Sequence, residues 1–106
     1  MPPVSNDLVE LTPRTQVSGR TLAVDFPTMQ IGIGEYAEGP TGCTVFHFPE
    51  GVFAAADIRG GSYATMYTEQ LVHGDGWIHA ICLAGGSLYG LEAATGVAAE
   101  MLAQRD

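Results

Sequence analysis

From about residue 20 onward the apolar positions fall into recognisable periods; before it they do not. Met29, Ile31 and Ile33 alternate with Gln30, Gly32 and Gly34 in the run ending Glu35-Tyr36, the period-two signature of a strand with one apolar face. The glycines opposite indicate close packing or a bend. Upstream, Thr21-Leu22-Ala23-Val24-Asp25-Phe26 is strand-like until Pro27 interrupts it, and Glu38-Gly39-Pro40-Thr41-Gly42 is a turn by composition. Cys43 to Phe48 and Val52 to Ile58, separated by Pro49-Glu50-Gly51, read as two strands joined by a short loop, so the whole stretch predicts a β-meander.

Arg59-Gly60-Gly61-Ser62 opens a polar and aromatic loop that runs through Gly76 and contains Tyr63, Tyr67, His73 and Asp75. A loop of that length without a clear period is usually functional or mobile. Trp77-Ile78-His79-Ala80-Ile81-Cys82-Leu83-Ala84 is nearly continuous in apolar character, which predicts a strand covered on both faces. Gly85-Gly86 breaks it. Ser87 is placed to cap a following helix, and Leu91, Ala94, Ala98, Met101 and Leu102 give that helix one apolar stripe over Gly90 to Gln104. Such a helix is marginal alone and must dock on a sheet. Residues 1–19, with Pro2, Pro3 and Pro13 and no sustained period, read as a flexible N-terminal arm; residues 20–106 read as one α/β unit.

Length and charge narrow the picture. The 106 residues allow at most one domain, which at this size buries roughly 60–70% of its unfolded surface, and exclude a complete two-domain enzyme. With 46% hydrophobic and 15% charged residues, disorder is not the expectation. A net charge of −8 argues against nucleic acid as a partner, because phosphate binding needs a basic patch. All four basic residues are arginines and there is no lysine, which removes Schiff-base and lysine-base chemistry. No apolar run approaches the 18 or so residues of a membrane span, and the first residues lack the regions of a signal peptide, so no membrane association and a cytoplasmic location are expected. Cys43 and Cys82 sit singly in apolar runs and read as buried free thiols. Neither they nor His47, His73 and His79 show zinc-ligand spacing; His73-Gly74-Asp75 with His79 is the nearest approach. No metal and no cofactor are expected.

The segment most suggestive of chemistry is Gly85-Gly86-Ser87-Leu88-Tyr89-Gly90, because glycines between a strand and a helix let ligand atoms approach backbone N–H groups. It fits none of the named templates. A P-loop needs a lysine, a dinucleotide fingerprint needs glycine where Ser87 stands, and the nucleophile elbow needs glycine where Tyr89 stands. The segment reads either as a tight turn for helix packing or as a substrate-shaping loop, and Gly85, Gly86, Ser87 and Tyr89 are the candidate substrate-binding residues. Asp57 and Arg59 form a candidate ion pair at a strand end, able to fix a loop or to orient a carboxylate.

Taken together, several segments closely resemble one family. Phe26-Pro27 with Ile31-Gly32, then Tyr36 through Val45, then Ala56-Asp57-Ile58-Arg59-Gly60-Gly61, and finally His79 through Ala93 are similar, in order and in spacing, to the L-aminopeptidase/D-esterase family of self-processing hydrolases, nearest its nylon-oligomer hydrolase branch. The resemblance runs from about Leu22 to Leu102. It implies a four-layer α-β-β-α sandwich, made as a precursor that cuts itself before a Thr or Ser, whose new N-terminal residue attacks amide bonds. It implies substrates among short peptides, D-amino-acid amides or esters and ω-amino-acid oligomers such as those of 6-aminohexanoate, and a homo-oligomeric assembly.

The departures are informative. In the family the nucleophile follows an Asn far downstream, and the site also uses a Lys, an Asn and a Tyr beyond the segment matched here. This chain has no Lys, and its single Asn, Asn6, precedes Asp7. The resemblance therefore implies the N-terminal portion of such an enzyme, inactive alone, with no catalytic residue in this chain and with the remainder of its own precursor, including the nucleophile-bearing subunit, as partner. The alternative is a non-catalytic module that binds a small ligand or a partner chain; nucleotide binding at the glycine turn is the weakest reading.

Overall fold

The structure, a computed structural model, describes residues 12–37, 41–61, 64–74 and 76–105. Three strands, β1 (Gln30–Tyr36), β2 (Thr41–Ala54) and β3 (Gly76–Ala84), form one antiparallel sheet in the order β1-β2-β3. A single helical turn, α1 (Glu69–Val72), lies between β2 and β3. A 3-10 helix (Leu88–Glu92) and α2 (Ala93–Gln104) follow β3. The fold is thus mixed α/β, with α2 packed against β3.

The alternation at Met29 to Tyr36 does give β1, paired so that Ile31 faces Phe46 and Ile33 faces Thr44. The two short strands expected around Pro49-Glu50-Gly51 are instead one continuous strand, β2. Its pairing with β3 runs from Cys43↔Ala84 to His47↔Ala80, shifts register between His47 and Val52, and resumes at Val52↔Ile78. Proline and glycine therefore mark a bulge, which locally bends a strand without ending it. Gly51 has a φ of +79° there, and a Cβ at this position would run into the indole of Trp77, so the bulge needs glycine both for its backbone and for the ring beside it. Residues 21–26 form no strand.

Opposite residues of an antiparallel pair share a face, and the two faces of this sheet differ sharply. On one stand Gly32, Gly34, Cys43, Val45, Ala80, Cys82 and Ala84; on the other stand Ile31, Ile33, Thr44, Phe46, Ile81 and Leu83. Along β3 the even positions from Ile78 to Ala84 are half-buried, whereas Trp77, His79, Ile81 and Leu83 are exposed. Because α2 contacts β3, this alternation puts the helix over the small-residue face. Small side chains let a helix approach a sheet closely, and α2 turns Ala94, Val97 and Met101 inward while Ala98 and Leu102 remain exposed. Of the predicted stripe, Leu91, Ala94 and Met101 are thus borne out, whereas Ala98 and Leu102 face out and Val97 takes their place.

The expectation that β3 is covered on both faces does not hold within this chain. Leu83 is 59% exposed, Trp77 50% and Phe53 78%, the last two stacked edge to face with ring centroids 4.7 Å apart. Among the described residues no hydrophobic side chain is fully buried. The radius of gyration, 15.9 Å, exceeds the roughly 13 Å of a compact domain this long. Full burial of a large apolar side chain contributes roughly 1.5–3 kcal/mol. With about half of that unrealised at each of Ile31, Phe53, Trp77, Ile81 and Leu83, the shortfall of about 5 kcal/mol rivals the whole net stability of a small domain.

Candidate functional site

The glycine segment lies where β3 leaves the sheet. Ala84 is opposite Cys43, and one residue later the Gly85 N–H donates to the Gly42 carbonyl at 2.8 Å, so the turn begins as a continuation of the ladder. Gly86 has a φ of +92°. The Gly90 N–H then folds back to the carbonyls of Gly86 and Ser87, both at 3.1 Å. The closure leaves no room for side chains: a Cβ at Gly90 would collide with the Gly85 carbonyl oxygen, and one at Gly85 would lie 2.8 Å from the Thr41 hydroxyl. The tight-turn reading of these glycines is therefore physically sufficient for Gly85 and Gly90.

It is not sufficient for Ser87. Its φ of 61° and ψ of −154° fall in a region that is close to glycine's alone and costs other residues of order 1–3 kcal/mol. Ser87 precedes the 3-10 helix, yet its side chain makes no capping hydrogen bond, so the cap expected from sequence does not explain the strain. Tyr89, two residues on, is 84% exposed. Among the described residues no side chain–side chain hydrogen bond reaches Ser87 or Tyr89. The turn thus presents a hydroxyl and a phenol outward, with donors and acceptors still available. Neither has a base within hydrogen-bond reach there, so the turn can bind and orient but does not by itself supply an activated nucleophile.

Thr41 is the residue that sequence reading missed. It lies in a segment legible only as a turn, but the β1–β2 and β2–β3 registers carry it opposite Tyr36 and against Gly85 and Gly86. It also lines an open groove of about 530 Å³ with Arg14, Glu35, Tyr36, Cys43 and Leu83. Arg14 is held in that lining by Glu35, with which its backbone pairs at 2.7 and 2.9 Å and from whose carboxylate its guanidinium lies 3.5 Å away. Arg14 falls within the stretch read as an arm, of which residues 1–11 lie outside the described residues.

The other candidates are not brought to this site. Arg59 Nε donates to Asp57 Oδ2 at 2.9 Å, but the pair is exposed and follows the Ala54 end of β2, whereas the glycine turn adjoins its Thr41 end. His47 shares a 2.9 Å hydrogen bond with Gln30 across the middle of the sheet. Among the described residues no three His, Cys, Asp or Glu side chains gather as a metal site; Asp75, part of the candidate grouping with His73 and His79, lies outside them. No described helix is long and apolar enough to cross a membrane.

No family model matches the chain. Over 105 residues it is 45% identical to the 6-aminohexanoate-oligomer endohydrolase of Agromyces sp. (strain KY5R), an alignment covering 95% of this chain and 28% of that enzyme. The same figures hold for the 6-aminohexanoate-oligomer endohydrolase of Paenarthrobacter ureafaciens. A putative NylC-analogous protein of the same Agromyces strain is 49% identical over 81 residues, covering 76% of this chain and 24% of that protein. The chain therefore spans little more than a quarter of the length of the curated relatives it matches.

Proposed function

We propose, from this similarity, that the chain is the N-terminal portion of an amide-bond hydrolase acting on 6-aminohexanoate oligomers or short peptides. The observation that carries the reading is a combination: 45% identity along almost the whole chain to endohydrolases more than three times its length, in a fold that leaves Ile31, Phe53, Trp77, Ile81 and Leu83 exposed on its sheet. In the proposed whole protein a second sheet lies over these side chains, giving the layers of an α-β-β-α sandwich, with membership of the L-aminopeptidase/D-esterase family. Residues 20–106 are then part of a larger domain, and the partner of this chain is the remainder of its own precursor.

The chemistry divides accordingly. A Thr or Ser freed by self-cleavage outside this chain attacks the amide carbonyl, with its α-amine or a neighbouring group taking the hydroxyl proton. This chain contributes the scaffold and one wall of the substrate pocket. There the Ser87 hydroxyl and the Tyr89 phenol hydrogen-bond an oligomer's amide groups, and the glycines keep the wall thin enough for substrate to reach backbone N–H groups. Holding the scissile amide against the nucleophile is itself a large part of amide hydrolysis, since a misplaced substrate loses the advantage of proximity.

The test is to express the whole reading frame that encodes the chain and to assay release of 6-aminohexanoate from its linear oligomers. Hydrolysis is expected from the whole protein and none from residues 1–106. Ser87→Ala and Tyr89→Ala should each lower kcat/KM by about tenfold, the loss of one to two substrate hydrogen bonds. Unchanged kcat/KM in both variants would remove the turn from the pocket, and a whole protein inert toward oligomers and peptides alike would overturn the reading.

A further inference from the structure

Neither cysteine has a role in the function proposed above, and the sheet brings them together. Cys43 stands opposite Ala84, and Cys82 stands opposite Val45. They are therefore diagonal neighbours on adjacent strands, on the face over which α2 packs, at a spacing that side chains can bridge. Both are free and half-buried, on the same face of the sheet and two register steps apart. We propose that Cys43 and Cys82 form a dithiol site that chelates one organic trivalent arsenical.

Three features select that ligand class. A disulfide asks the two Cβ atoms to approach to roughly 3.5–4.5 Å, closer than the 7–8 Å or somewhat less of a diagonal pair, whereas an arsenic atom seated between the sulfurs spans the gap. Burial, and then the neighbouring Cys43, push the Cys82 thiol above its ordinary value. Oxidation and disulfide exchange proceed through thiolate, so Cys82 is slowed in both while remaining open to a reagent that condenses with neutral thiols. Finally, among the described residues no third His, Cys, Asp or Glu completes a larger cluster, as a tetrahedral zinc site would require. An organoarsenical brings its own third substituent and needs only two sulfurs.

The step balances without an oxidant. In R–As=O the arsenic–oxygen bond breaks and two As–S bonds form, and both thiol protons leave with the oxygen as water; arsenic stays trivalent throughout. The bridge ties β2 to β3 directly below the glycine turn, since Gly42, next to Cys43, is the residue whose carbonyl holds Gly85.

Phenylarsine oxide is the probe, added to the whole protein that contains this chain. Mass spectrometry should find one phenylarsenic group bound here, and peptide mapping should find Cys43 and Cys82 both protected from iodoacetamide. Because two linked bonds must break together, the adduct should survive excess 2-mercaptoethanol and be released by 2,3-dimercaptopropanol. Cys43→Ser and Cys82→Ser should each reduce the monothiol-resistant adduct by roughly a hundredfold, the loss of an intramolecular second bond. Protection of one cysteine alone, no adduct, or an adduct that persists in either serine variant would overturn the proposal. The protection pattern of the unaltered protein decides the matter even if a variant fails to fold.

Discussion

The two faces of the sheet are built to opposite specifications. Toward α2 the strand it packs on presents Ala80, Cys82 and Ala84; on the far side the sheet presents Ile31, Ile33, Phe46, Ile81 and Leu83. Where a cover is present, the side chains beneath it are small and the helix sits close. Where the side chains are large, Ile31, Ile81 and Leu83 stay exposed among the described residues. The difference teaches that the larger apolar side chains point away from the helix, and that among the described residues the helix side alone does not close a core.

The strongest way to break the contrast is to study the 106-residue chain alone. It should be poorly soluble or partly molten, with calorimetry showing no sharp transition; a monodisperse monomer with a single cooperative transition would mean that the open face needs nothing. The next largest effect is expected from Ile81→Asp. In the whole protein a charge buried without a partner there should cost about 3–5 kcal/mol in urea unfolding, while in the isolated chain the same substitution should raise the soluble fraction. Equal behaviour in both settings would erase the distinction between the faces. On the helix side, Ala80→Leu should cost about 1–3 kcal/mol by overpacking beneath α2, read from the same urea midpoints, and a neutral result would mean that the helix does not sit close. The smallest effect concerns the turn: Ser87→Gly should stabilise the whole protein by about 1 kcal/mol as left-handed strain is relieved, with kcat/KM lowered if the hydroxyl meets substrate.

The parts of this architecture that were legible in sequence are those with a local cause. Period two gave β1 and the apolar run gave β3. What escaped depended on partners distant in sequence. Pro49 and Gly51 look like strand breakers, yet β3 holds β2 together across them with a bulge. Of the stripe predicted for the last helix, Leu91, Ala94 and Met101 turn inward, but Val97 stands in for Ala98 and Leu102, a choice set by the sheet it packs on. Thr41 could not be placed against Gly85 without the register, and neither could Cys43 beside Cys82. The strain at Ser87 left no trace in composition, since serine before a helix reads as a cap.

The sheet order has a further consequence. Among the described residues β3 is paired with β2 on one side and with nothing on the other, so nine residues from Gly76 to Ala84 leave a row of amide and carbonyl groups unmatched. Natural outer strands are usually shortened, interrupted by proline or armed with lysine to discourage such pairing. β3 has none of these guards. In the whole protein proposed above a further strand would cover that edge; left open, it is a ready template on which a second copy of the chain can pair strand on strand.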